Sequence, residues 1–336
     1  MDDHSDGNNR ISSPEQIQQM AMVFKRSRVL LSAFELDLFT ILGREKLTSD
    51  EVAIIADTDI RATDRLLNAL CALGLIRKEN KRFSNTETAV RYLVKGEEDY
   101  MSGLMHTVHL WKSWSTMTDA VKKGGRATDK SLKEEDSRWT TAFIEAMHYR
   151  AVKASAEVIA RLDLAGVSRV LGVGGGSGAY AMGFVNARPD ITVTVFDLPD
   201  VVPLAGKYID ESGMRDRIEV IEGDYHIDEF GGGFDLVFLS AIIHSNSSEQ
   251  NRTLIEKGAK ALNQGGQIVI VDFIMDEDRC GPFFSALFAL NMVVNTESGD
   301  TYTESEVRSW LMQTGFSDIK RMDGVGPTAI ITGRKC

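Results

Sequence analysis

The sequence predicts an α/β fold: a Rossmann-like, doubly wound sheet domain in the C-terminal half, preceded by a mostly α, winged-helix domain. Three observations carry this. From Val167 onward, short apolar runs alternate with amphipathic segments, the pattern of repeated βαβ units with helices on both faces of a parallel sheet. The first of those runs leads into Gly174-Gly175-Gly176-Ser177-Gly178, a glycine-rich turn from strand to helix. Before residue 100, three helical patterns are followed by a hairpin pattern, the order of a winged helix. The expected divisions are a winged-helix domain over 1–100, a helical connector over 101–164 and the sheet domain over 165–336.

Bulk properties narrow the function classes. The 336 residues suffice for two domains, at roughly 100–200 residues each. The 43% hydrophobic and 26% charged content is ordinary for a globular enzyme. A net charge of −11 argues against nucleic acid, because a duplex binder needs a basic face. No apolar run approaches the roughly 20 residues that span a bilayer. The polar N-terminus lacks the apolar core of a signal peptide, so no membrane contact and a cytoplasmic location are expected. Cys71, Cys280 and Cys336 lie far apart, with no CxxC, so neither a metal cluster nor a disulfide framework is expected.

The N-terminal elements follow in order. Residues 15–43 read as one helix, with Met20, Met22, Val23, Val29, Leu30, Ala33, Leu36, Leu38 and Phe39 at helical spacing and Gly43 as its stop. Thr48 and Glu51 form a capping box that opens a second helix. A third runs from Ile60 to Leu73, with Ala62, Leu66, Leu67, Leu70 and Leu73 on one face and Gly74 closing it. Leu75–Phe83 reads as a hairpin. The third helix carries Arg61 and Arg65, but Asp57, Asp59 and Asp64 surround them, so dimerisation is favoured over DNA binding. Residues 100–160 read as mostly helical. Met147 stands among the His, Trp, Phe and Tyr residues of that stretch as a candidate for an acceptor pocket.

Six strands are expected in the C-terminal half: Arg169–Val173, Thr192–Phe196, Ile218–Glu222, Leu236–Ser240, Gln267–Phe273 and Ala329–Thr332. Ligands in such sheets sit at the carboxyl ends of the strands. After the first strand, Gly174, Gly175, Gly176 and Gly178 let the backbone approach a ligand closely. Their spacing is shorter than GxGxxG and suits a cofactor without a pyrophosphate. After the second strand comes Asp197, whose carboxylate can accept from a ribose diol. After the third come Asp224, able to accept from an adenine amine, and Tyr225, able to lie along the ring. Leu198 and Ser240 complete the expected cofactor-binding set. After the fourth strand comes His244, a candidate general base. Asp272, near the end of the fifth, can orient it through the second ring nitrogen.

These runs, VLGVGGGSG, VFDLPDVV, RIEVIEGDY, the His244 loop and ALNQGGQIVIVDF, resemble the small-molecule O-methyltransferases of plants and bacteria, including the caffeate, isoflavone and acetylserotonin types. The N-terminal run ELDLFTIL…LTSDEVA…RATDRLLNALCALGLI is similar to that family's winged-helix dimerisation domain. The likeness spans nearly the whole chain. It implies S-adenosylmethionine as methyl donor, S-adenosylhomocysteine as product and a homodimer. It places the methionine part on the glycine turn, the ribose on Asp197, the adenine on Asp224 and Tyr225, the base at His244 and its acidic partner at Asp272. The sequence departs from the family at Gly172, Ser240, Ser245-Asn246 and Thr301. Ser245-Asn246 replaces the usual Asp-Trp, and Thr301 stands where a second glutamate is frequent, with Asp300 as an acidic neighbour.

The expected reaction is in-line displacement at the sulfonium methyl by a hydroxyl aligned at about 3 Å. The apolar helical stretch after Gly281-Pro282 supplies candidate acceptor contacts at Phe284, Phe288, Asn291, Met292 and Asn295, beside Met147. Its aromatics point to a small aromatic or polycyclic acceptor. Methylation of carbon or nitrogen on the same scaffold, or cofactor binding without methyl transfer, are the alternatives.

Overall fold

The computed structural model of the chain describes residues 11–127 and 139–336. Part of the expected connector, 128–138, lies outside them. The chain divides into two compact units, Met1–Val108 and His109–Cys336.

In the first unit, helices Pro14–Met22, Phe24–Glu35 and Leu38–Leu42 occupy the stretch expected to be one helix. At Val23 the backbone stays helical, but its N–H turns to the Met20 carbonyl. At Asp37 the chain adopts φ 58, a left-handed conformation that Asp tolerates better than most residues. Gly43, at φ 48, ends the third piece. Then β1 (Leu47–Thr48) leads into helix Ser49–Ala56, whose capping box is present: the Glu51 N–H donates to Thr48 Oγ1 and the Thr48 N–H to Glu51 Oε2. Helix Ile60–Ala72 buries Thr63, Leu67 and Leu70. Leu73, expected on that face, is 37% exposed. Thr63 tolerates burial because its hydroxyl is bonded to that of Thr58 at 2.7 Å. The hairpin is β2 (Ile76–Glu79) and β3 (Arg82–Asn85), joined through Asn80 and Lys81 at φ 49 and 66. Two positive φ values in a two-residue loop match the twist of the strands. The sheet order is β1-β3-β2.

In the second unit, β4 (Arg169–Val173), β5 (Thr192–Asp197), β6 (Ile218–Glu222), β7 (Phe234–Ser240) and β8 (Leu262–Asp272) pair in parallel. A small parallel pair, β9 (Ile274–Met275) and β10 (Tyr302–Thr303), stands apart. β11 (Phe316–Asp323) and β12 (Ala329–Lys335) complete a seven-stranded sheet in the order β11-β12-β8-β7-β4-β5-β6. β12 is antiparallel to both neighbours, which corrects the expectation of a wholly parallel sheet. The reason is local: only a short turn separates β11 from β12, and a hairpin must reverse direction. β11 itself lay outside the six expected strands. Of its residues only Phe316 is buried, so it shows the charge pattern of an edge.

Alternate residues of the central strands feed two cores. Leu171, Val173, Val237, Leu239, Ile268 and Ile270 face the helices Ser248–Ala261 and Glu304–Gln313. Val170, Leu236, Phe238, Val269 and Val271 face the helices Trp139–Ala160, Ala179–Ala187 and Val202–Ser212. This two-residue period places helices on both faces, as expected.

Asp235, at the start of β7, braces the sheet. Its Oδ2 accepts from the Ser168 N–H at 3.0 Å, the Ser168 hydroxyl at 2.8 Å and the Arg169 N–H at 2.9 Å. Partial burial raises its pKa, but hydrogen bonds from Ser168, Asn263 and Arg169 outweigh this and hold the carboxyl at about 2. A folded pKa below the unfolded value of about 3.9 gives stability that is present above about pH 4 and is lost as pH falls toward the folded value. We expect Asp235→Asn to lose about 1–2 kcal/mol in urea unfolding at pH 7. The gap to wild type should narrow on acidification; a gap that ignores pH would contradict this account.

Candidate active site

The strand order reverses between β4 and β7, so the loops after these strands diverge and leave a crevice at their carboxyl ends. The glycine turn lies there. Gly174, Gly176 and Gly178 have φ of 61, 57 and 77, which favours glycine at each. A Cβ on Gly174 would lie 2.1 Å from Ile242 Cδ1, and one on Gly175 2.7 Å from Val195 Cγ1. One on Gly176 meets nothing within 4 Å. The first two glycines thus answer packing, and Gly176 opens onto space. The turn is tied to the next strand end: the Gly176 N–H donates to Asp197 Oδ2 at 2.7 Å, and the Leu198 N–H to Oδ1 at 2.8 Å.

At the end of β6, Asp224 Oδ1 accepts from the His226 N–H at 2.8 Å, and the Asp224 N–H donates to Asp228 Oδ2 at 2.8 Å. The Tyr225 hydroxyl donates to Asn246 Oδ1 at 3.1 Å, and burial pushes its pKa up to about 12. Ser240, closing β7, lies beside the Tyr180 hydroxyl, whose pKa burial raises and Ser240 partly restores. Ala241 follows at φ 56, a strained position for a residue with a Cβ, of the kind that collects at functional sites.

A short 3₁₀ turn, Ile243–Ser245, carries His244. Its Nδ1 lies 2.7 Å from Asp272 Oδ1, and the pair is buried, His244 at 8% and Asp272 at 1% exposure. Asp272 Oδ1 also accepts from the Phe273 N–H at 2.8 Å. A carboxylate only accepts, so the imidazole proton sits on Nδ1 and Nε2 presents its lone pair. Asp300 stands close: its N–H donates to the His244 carbonyl at 3.0 Å. Its carboxylate, however, pairs with Arg279 at 3.3 Å, and the Thr301 hydroxyl donates to the Ser285 carbonyl.

Helix Phe283–Asn295 brings the expected acceptor residues to this pair. The Phe288 ring meets the His244 ring edge-on, with centroids 4.8 Å apart. Phe273 lies 4.4 Å from Phe288 and 4.9 Å from Phe284. Asn291 Oδ1 accepts from the Trp114 indole N–H at 2.8 Å and from Asn295 Nδ2 at 3.0 Å. Met292 is buried and Met147 half-buried. Its neighbour His148, another candidate of that stretch, meets the glycine turn instead: its Nδ1 lies 2.8 Å from the Ser177 hydroxyl, and its ring stacks on Tyr208 at 3.9 Å. Nothing in the sequence marks that link, since 29 residues separate its partners.

A Rossmann-like sheet with a glycine turn and acidic strand ends in one crevice defines a nucleoside-cofactor enzyme. Comparison with known proteins names the class. Residues 114–317 match the model of the O-methyltransferase domain, and residues 18–95 that of the O-methyltransferase dimerisation domain. The chain belongs to this O-methyltransferase family and is an S-adenosylmethionine-dependent methyltransferase. It is 32% identical to a 3-hydroxy-5-methyl-1-naphthoate 3-O-methyltransferase of Streptomyces sahachiroi, over 96% of this chain and 95% of that one. It is 29% identical to the tetracenomycin polyketide synthesis 8-O-methyl transferase of Streptomyces glaucescens, over 97% and 98%. The structure of human N-acetylserotonin methyltransferase in complex with S-adenosylmethionine superposes with TM-score 0.83 at 25% identity, covering 98% of this chain and 99% of that one.

The residues fit that cofactor: Gly176 leaves room over the turn, and the Asp197 carboxylate stands directly beside it. Gly176→Ala should therefore fold, at a cost of about 1 kcal/mol for its left-handed backbone, yet weaken S-adenosylhomocysteine binding about tenfold or more in calorimetry. Gly174→Ala should instead lower the melting temperature, because its methyl collides with Ile242. Unweakened binding by folded Gly176→Ala would remove the turn from the cofactor site.

Proposed function

We propose that the protein transfers the methyl group of S-adenosylmethionine to a hydroxyl of a small aromatic or polycyclic acceptor, with His244 taking the hydroxyl proton. The observation that carries this is the buried 2.7 Å contact between His244 Nδ1 and Asp272. It leaves Nε2 as the basic nitrogen of a ring that meets Phe288 edge-on. The cofactor supplies a methyl group made electrophilic by its sulfonium. The protein's part is to hold the acceptor in line, exclude water and accept one proton. Gly174 to Gly178, Asp197, Leu198, Asp224, Tyr225 and Ser240 are the proposed cofactor contacts. Phe284, Phe288, Asn291, Met292, Asn295 and Met147 are the proposed acceptor contacts. The rings of Phe273, Phe284 and Phe288 favour a flat apolar acceptor, and the naphthoate and tetracenomycin enzymes named above point the same way.

His244→Ala should lower kcat by about 10²–10⁴-fold on hydroxynaphthoates or catechols, with S-adenosylhomocysteine affinity unchanged. Asp272→Asn should act similarly. The Phe273 N–H holds the amide oxygen in the place of Oδ1, so the ring stays oriented, but the charge that would stabilise the imidazolium is lost. Full turnover in both variants would refute the assignment.

We further propose that the chain works as a homodimer through its first unit. Helix Pro14–Met22 buries none of its residues, and Ile17, Met20, Val23 and Phe24 are 59%, 62%, 57% and 49% exposed. Such an apolar row implies a covering surface, and the dimerisation-domain match supports a second copy. Sedimentation should give twice the 37.1 kDa chain mass, and Met20→Asp with Phe24→Asp should shift the species toward monomer. A wild-type monomer at micromolar concentration would overturn the proposal. Among the described residues, no helix is long and apolar enough to cross a membrane.

A further inference from the structure

The half-buried Tyr225 and two buried asparagines connect the proposed adenine site to the turn that carries His244. The Tyr225 hydroxyl donates to Asn246 Oδ1 at 3.1 Å. Asn246 Nδ2 donates to Asn251 Oδ1 at 3.1 Å, and Asn251 Nδ2 donates to the Ile243 carbonyl at 2.8 Å. Asn246 and Asn251 are 1% and 0% exposed. The direction of this chain is forced. A backbone carbonyl can only accept, so the group of Asn251 that meets it must be the amine. Its other atom, the oxygen, must then take a proton from Asn246. That leaves the Asn246 oxygen to face Tyr225, which must donate. Reversing any one member would set two donors or two acceptors face to face in a dry interior, where each unmade bond costs far more than it would in water.

The far end of the chain is the residue before His244, inside the same 3₁₀ turn. The turn has other supports. The Tyr302 hydroxyl donates to the Asn246 carbonyl, and the Asp300 N–H to the His244 carbonyl at 3.0 Å. Asn246 thus touches the turn through its backbone and the β6 loop through its side chain.

We propose that Asn246 is a positioning residue that couples cofactor occupancy at Tyr225 to the placement of His244. The proposal rests on the reading of Tyr225 as a cofactor contact. A ligand pressed on the Tyr225 ring moves its hydroxyl, and the bonds through Asn246 and Asn251 pass that displacement to the Ile243 peptide. The donor and acceptor roles are fixed, so the chain transmits movement instead of absorbing it by flipping an amide. Asn246 does not itself touch the reacting atoms.

The test uses the full-length protein. The chain has six histidines, and the ring signals of His244 in ¹⁵N-imidazole NMR can be assigned by their loss in His244→Ala. Saturating S-adenosylhomocysteine should shift those signals in the wild type. Tyr225→Phe removes one hydroxyl and keeps the ring. It should still bind S-adenosylhomocysteine but show less than about half that shift. Asn246→Leu should lower kcat at saturating S-adenosylmethionine about tenfold, while the S-adenosylhomocysteine Kd changes less than about threefold. The double variant should be no slower than the slower single one. An undiminished shift in Tyr225→Phe, no shift in the wild type with ligand bound, or losses of kcat that multiply would each overturn the coupling. Absence of any S-adenosylhomocysteine binding to the wild type would instead refute the cofactor reading beneath it.

Discussion

The reversal of strand order between β4 and β7 is the constraint from which the rest of the site follows. Strands on either side send their connections in opposite directions, so the loops diverge at the carboxyl ends at the centre of the sheet. Whatever fills that gap must be held by backbone and by the last side chain of each strand. Gly174–Gly178, Asp197, Asp224, Ala241 and Asp272 are the residues that the chain places there. Asp197 bonds two backbone N–H groups from different loops, which sets the glycine turn against the end of β5 and gives the crevice a rigid floor. Such rigidity matters for a transfer in which alignment does most of the catalysis.

Much of this was legible before any coordinates. Strand periodicity located β4 and β6 to the residue, because both ends are marked by turns or charge. The capping box at Thr48 and the stop at Gly43 were readable because each is a local rule with a local cause. What escaped was decided by neighbours distant in sequence. Thr63 is buried in place of Leu73 because Thr58 satisfies its hydroxyl. β11 carries charges on both sides and becomes a strand only because β12 offers it an edge. The reversed direction of β12 follows from a hairpin whose first strand the periodicity does not reveal.

The site divides in the same way. Glycines, strand-end aspartates and His244 with Asp272 could be named because their chemistry is tied to their place after a strand. The bonds that His148 and Asn246 make could not. His148 reaches Ser177 from another helix. Asn246 reads in the sequence only as a departure from a familiar pattern, and its role depends on Tyr225 and Asn251 being arranged around it. Asp300 shows the opposite risk. It sits beside the position of a frequent glutamate, yet its carboxylate is committed to Arg279 and only its N–H reaches the turn of His244.

The His244–Asp272 pair also explains why an unfavourable feature persists in the core. Asp272 Oδ2 is buried and finds no hydrogen-bond partner among the described residues. An unmatched acceptor of this kind costs about 1–3 kcal/mol, and more for a charged group. Packing alone would favour an uncharged side chain there. In the proposed reaction the balance changes as the acceptor proton reaches Nε2. The imidazole becomes a cation, and the carboxylate 2.7 Å from its other nitrogen gains the counter-charge that its ground state lacks. The attraction is therefore stronger in the transition state than before it, which is the condition for an electrostatic interaction to raise kcat and not merely affinity. A neutral partner at position 272 would orient the ring more cheaply but would forfeit that difference. In the proposed reaction the unmatched acceptor of the resting core thus serves the transfer, and the neighbouring hydrogen bond from the Phe273 N–H keeps the carboxylate oriented.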